Sequence, residues 1–76
     1  MYKIDGIDGQ TFQKLHDFYM PKTVITSHLW DKEQEWFSIT ISDYAIIKIN
    51  GGDITIDLSG VLYTIDRYSY ESLTVL

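Results

Sequence analysis

The chain reads as an α+β domain in two layers, with one N-terminal helix packed on one face of an antiparallel β-meander of about five to six strands. Three observations carry that reading. A single helix-period amphipathic stretch occurs early, before Pro21. Everything beyond it alternates with the period of two that marks strands. Two glycine-bearing turns, Asn50-Gly51-Gly52-Asp53 and Ser59-Gly60, join the alternating segments at hairpin spacing.

Taken in order, Tyr2 to Ile4 form a short first strand, with Asp5-Gly6 and Asp8-Gly9 read as turns around it. The helix is expected from about Gln10 to Met20, with Asp8 or Thr11 as its N-cap. Phe12, Leu15 and Tyr19 fall on one stripe, and Phe18 widens it. Pro21 disfavours helical geometry at Met20 and ends the helix there. A helix of about eleven residues is marginal alone in water, so the stripe must be buried on something.

Residue parity identifies that something. With Asn50 opposite Asp53, Ile49 faces Ile54, Ile47 faces Ile56 and Ala45 faces Leu58. The Ser59-Gly60 turn sets Leu58 opposite Val61, Ile56 opposite Tyr63 and Ile54 opposite Ile65. A three-residue connection at Ser42-Asp43-Tyr44 is expected to place Ile41, Ile39 and Phe37 opposite Ala45, Ile47 and Ile49. One face then collects every member of this apolar set, and a one-residue slip would destroy the segregation. The strand Thr23 to Trp30 precedes these. A five-residue loop, Asp31 to Glu35, would bury Ile25 and Leu29; a four-residue loop would bury Val24 and His28. The five-residue loop is preferred because Ser27 is then the only polar intruder. The strands from Thr23 to Ile65 are expected in sequential order. A last strand, Ser72 to Leu76, either extends the sheet or helps to close it.

Seventy-six residues leave room for a single domain, 1–76, and no second core. The 45% hydrophobic and 14% aromatic content is that of a folded chain. With no cysteine, disulfides and thiolate metal sites are excluded. The N-terminal residues lack the apolar stretch of a signal peptide, and the longest uncharged run, Thr23 to Trp30, is too short to span a bilayer. A cytoplasmic location is therefore expected. The net charge of −5 arises from eleven acids against six bases. No basic stripe is present to displace counterions from a nucleic-acid backbone, which disfavours a nucleic-acid partner. Tyr68 and Tyr70, beside Arg67, could stack on bases, but with a single arginine and a negative overall charge a protein-contact or packing role is the better account of them.

The sheet's second face is expected to carry Trp36, Ser38, Thr40, Ile46, Lys48, Thr55, Asp57, Leu62 and Thr64. Most of these suit water. The exceptions are Trp36, Ile46 and Leu62, with Trp30 placed beside Trp36 by the five-residue loop. Two readings compete: scattered or covered apolar groups, which are ordinary, or an aromatic anchor for a protein partner. On the second reading Trp30, Trp36, Ile46 and Leu62 form the contact, rimmed by Asp31, Glu33 and Glu35.

Sites for chemistry are poorly furnished. His16 lies at the edge of the helical stripe and His28 on a strand, and a catalytic or metal site would need both to converge with a third group. The Asp5-Gly6-Ile7-Asp8-Gly9 segment lacks the alternating oxygen ligands and final glutamate of an EF-hand. Gly51-Gly52 precedes no helix and cradles no phosphate. No serine lies in a nucleophile elbow. The expectation is a non-enzymatic interaction protein, with no catalytic residue, metal or cofactor, that binds and inhibits a larger protein. A chain this short, starting at a methionine and ending without a linker, is expected to work alone or as a small homo-oligomer. Small acidic inhibitors from phages and mobile elements, of anti-CRISPR and anti-restriction type, share this size and composition; no motif carries the analogy. A structural homo-oligomer, and further behind a single-stranded nucleic-acid binder, are the alternatives.

Overall fold

The computed structural model describes residues 1–76, the Met20 side chain apart. Its elements are β1 (Tyr2–Ile7), α1 (Gly9–Tyr19), a 3-10 turn (Met20–Lys22), β2 (Ile25–Asp31), β3 (Trp36–Ile41), β4 (Ile46–Asn50), β5 (Asp53–Leu58), β6 (Val61–Ile65) and β7 (Ser72–Val75). The α+β class stands; the single meander does not. The strands form a four-stranded sheet in the order β2-β3-β1-β7 and a three-stranded sheet in the order β4-β5-β6. All pairings are antiparallel.

The departure begins at Gly6. Asp5-Gly6 is not a turn: β1 runs on to Ile7 through an irregularity between Ile4 and Ile7, with Gly6 at φ +79°. This bulge resets the alternation, so Ile4 and Ile7, three apart, both point inward and are fully buried. The lengthened β1 pairs with β3, Ile4 against Ile39 and Ile7 against Phe37. With β2 on its other side, β3 has no edge left for β4. The expected pairing of Ile41, Ile39 and Phe37 with Ala45, Ile47 and Ile49 is therefore absent, and sequential strand order with it. At Ser42 the chain turns away: Ser42 N donates to Val24 O (2.8 Å) and Tyr44 N to Ser42 Oγ (3.1 Å). The tail, open in the sequence reading, extends the first sheet as β7 on the far side of β1.

Both hairpins of the second sheet have the expected register. Ile49 faces Ile54, Ile47 faces Ile56, Ile56 faces Tyr63, and Ile54 faces Ile65. Gly51 and Gly52 supply the two positive φ angles, +62° and +90°. Asp8 is the N-cap, its Oδ1 accepting from Thr11 N at 2.7 Å. The α-helix stops one residue earlier than expected, and Met20–Lys22 continue it as a 3-10 turn through Pro21. Lys22 Nζ donates to the Phe18 carbonyl (2.6 Å) and lies over the Phe18 ring, closing the helix end.

One apolar cluster joins the three units. Phe12, Leu15 and Tyr19 of α1 are buried with Ile4, Ile7, Ile39 and Ile41 of the first sheet and Ile54, Ile56 and Ile65 of the second. The buried Tyr19 hydroxyl donates to the Ile56 carbonyl at 2.7 Å, tying helix to second sheet. The β6–β7 segment is pinned to the β4–β5 turn by Arg67 N on Asp53 Oδ1 (2.9 Å) and by the Tyr70 hydroxyl on the Gly52 carbonyl. Tyr70 is thus a packing residue, and the exposed Tyr68 lies under the Arg67 guanidinium. Among the described residues no helix is long and apolar enough to cross a membrane.

Candidate functional site

The β2–β3 hairpin carries Trp30, Asp31, Glu33, Glu35 and Trp36, and its loop length decides how they are placed. Asp31 pairs with Trp36, Trp30 with Phe37, and His28 with Ile39. The loop is therefore the four residues Lys32 to Glu35, and the preferred five-residue version is overturned. Val24 is buried while Leu29, expected inside, is 69% exposed on the outer face. The physical reason lies in the aspartate. Asp31 Oδ1 accepts from the backbone N–H of Glu33 (3.0 Å) and Gln34 (3.1 Å), and Asp31 O accepts from Glu35 N (2.8 Å). Glu35 takes a φ of +58° to close the turn. Asp31 is thus a turn residue with its carboxylate folded into the loop, whereas Glu33 and Glu35 are exposed.

This register separates the two tryptophans. Trp30 shares the inner face with Phe37, and Trp36, of opposite parity, lies on the outer face beside Gly6. The expected Trp30–Trp36 cluster does not form. Trp36 is half-buried and covers the bulge, near the buried Ser38, whose Oγ donates to Asp5 Oδ1 at 2.5 Å. Ile46 and Leu62 are on the other sheet, in one cross-strand row with Asp57 between them, and both are exposed as expected.

What the inner face assembles instead is an aromatic ladder. Trp30 packs on Phe37 with ring centroids 4.8 Å apart, and Phe37 stacks on Phe12 of α1 at 3.9 Å and 5°. Phe12 in turn touches both His16 (5.6 Å) and His28 (5.1 Å). The two imidazoles meet edge to face at 5.6 Å. Convergence of the histidines was not legible from the sequence under the preferred loop. The four-residue loop, which turns His28 inward, was the signal for it. A third ligating group does not join them. Asp17 Oδ1 stands 3.9 Å from His16 Nδ1 and accepts from Gln13 at 2.8 Å. Among the described residues there is no group of three or more metal-ligating side chains, and no pocket.

The site is therefore a surface. Trp30, 47% exposed, caps a stack of rings rooted in the core, with the Lys32–Glu35 turn at the end of its strand; the adjacent Leu29 is exposed on the opposite face. Such an arrangement can present a fixed aromatic face at low entropic cost. No protein-family model, curated protein or solved structure matches this chain.

Proposed function

We propose that the protein is a non-enzymatic interaction module that binds a larger protein through the end of the β2–β3 hairpin, and acts by blocking that partner. Trp30 is the anchor; Leu29 points to the opposite face of the sheet and takes no part. Glu33 and Glu35 supply a negative rim in a chain of net charge −5. One observation carries the reading: Trp30 is half-exposed yet held by Phe37, itself stacked on Phe12, so its ordering cost is met before binding. Trp36, Ile46 and Leu62 lie outside this surface, and Asp31 shapes it without facing a partner. The inhibitor role extends from size and acidity, the features shared with anti-CRISPR and anti-restriction proteins.

The test is recovery of the partner from the source cell with tagged protein, comparing Trp30→Ala with Leu62→Ala. One stoichiometric partner retained by wild type and Leu62→Ala, and lost with Trp30→Ala at unchanged secondary structure, is the expected result. Full retention by Trp30→Ala removes the anchor.

A further inference from the structure

The second sheet carries an interface of its own, on β4. The sheet order leaves β4 at an edge, bonded only to β5. Asn50 and Asp53 flank the two-residue turn and so exchange backbone bonds, and the alternation of an antiparallel ladder gives Lys48 and Ile46 the same role. The N–H and C=O groups of Ile47 and Ile49 then point away from β5, and among the described residues no backbone partner meets them. Natural edges are blunted by shortness, bulges or charge. β7 has four residues, and β2 has an irregularity between Ile25 and Ser27 and ends in Asp31. On β6 the exposed apolar group is Leu62 alone, with Thr64 engaged to Thr55 at 3.0 Å. By contrast β4 exposes Ile46 (59%) on one face and Ile49 (63%) on the other. It contains one base and no acid in an acidic chain.

We infer that β4 pairs antiparallel with β4 of a second copy of this chain, about a two-fold axis at Ile47. Backbone direction and side-chain charge select that register. Same-face pairing across a two-fold requires partners of equal parity, so the axis passes through a residue, and only Ile47 and Lys48 lie far enough from both ends of β4 to pair most of the strand. The axis at Lys48 sets two lysines directly opposite, which is repulsive. The axis at Ile47 sets Ile47 against Ile47, and Ile46 against Lys48 of the second copy. It sets Ile49 against the buried Ala45, whose N–H is already held by Ser42 O at 3.2 Å, which leaves only the Ala45 carbonyl for the Ile49 N–H. Each Lys48 ammonium already has Asp57 of its own chain at 3.6 Å, so only its methylenes cover the opposing isoleucine. The exposed Ile46 gains a neighbour and no like charges meet. The two three-stranded sheets become one of six strands, with Trp30 left free on the other sheet.

The register makes opposite predictions for fold and assembly at one position. Ile46 faces Asp57 within the chain and Lys48 across the axis. Ile46→Lys therefore favours the monomer's fold and breaks the dimer, while Ile46→Glu strains the fold slightly and keeps the dimer. Light scattering after size exclusion, from ~10 µM to ~1 mM, reads the mass. Expected are a wild-type dimer with protected Ile47 and Ile49 amides, a monomeric Ile46→Lys and a dimeric Ile46→Glu. A wild type monomeric throughout, a dimeric Ile46→Lys, or growth beyond two copies overturns the proposal. None of these outcomes bears on capture of a partner by Trp30.

Discussion

At the scale of single residues, Gly6 decides more than any other position. Its φ of +79° is a left-handed conformation that a side chain strains. A Cβ there would overlap the Glu71 Cβ, come within 2.8 Å of the Glu71 backbone nitrogen, and meet the Trp36 ring at 3.0 Å. The Glu71 backbone is itself fixed, its N–H donating to Asp5 O at 2.8 Å. Gly6→Ala must therefore move backbone as well as strain φ, and is expected to lower stability by ~2–4 kcal/mol, read from urea denaturation. Asp8 is a milder case. Loss of its cap in Asp8→Ala leaves the Thr11 N–H to water, at a cost of about 1 kcal/mol. The cap was legible because it depends on neighbours in sequence. The bulge was not: Asp5-Gly6 has the same dipeptide chemistry as a turn, and only Glu71, sixty-odd residues away, shows why the glycine is required.

At the scale of elements, what was legible divides along the same line. The β4–β5 and β5–β6 hairpins are fixed by two-residue turns, so parity alone aligned Ile47 with Ile56 and Ile54 with Ile65. The β3 neighbours were not legible, because the sequence pattern ends β1 before the Gly6 bulge that lets it reach Phe37. For β2, a one-residue difference in loop length turned Leu29 outward, His28 inward, and Trp30 away from Trp36. The joint between α1, β2 and β3 rests on Phe37, which touches Phe12 at 3.9 Å and Trp30 at 4.8 Å. Phe37→Leu keeps the apolar character but removes the ring stack. It is expected to cost about 1–2 kcal/mol and to free Trp30, lowering its steady-state fluorescence anisotropy relative to wild type. An unchanged anisotropy would mean that Trp30 is held by something other than this ladder.

For the whole molecule, the two sheets share one core, and Tyr19 reaches from the helix across to the second sheet with a hydrogen bond, beside the Phe18–Tyr63 ring contact. Its phenol is buried, its O–H donates to Ile56 O, and the Asp57 carboxylate is near. Burial first, and Asp57 second, push its pKa up to about 12, against about 10 in an unfolded chain. Below pH 10 both states hold the proton and the folded state keeps the full benefit of a neutral phenol. Between 10 and 12 the unfolded state releases its proton while the folded state retains it. Fewer protons are then bound by the unfolded chain, so stability falls as pH rises, by about 1.4 kcal/mol per unit across that window. Tyr19→Phe separates this from the other tyrosines. It removes the hydrogen bond, at about 1 kcal/mol near neutrality, and also removes the titration. The variant is therefore expected to be less stable than wild type at pH 7 but to lose less on going from pH 9 to 11.5, in urea melts taken at each pH. Parallel alkaline decline in the two proteins would place the sensitive group elsewhere. Convergence of their stabilities, or a reversal of their order, would identify the Tyr19 phenol as the group through which alkali destabilises the fold.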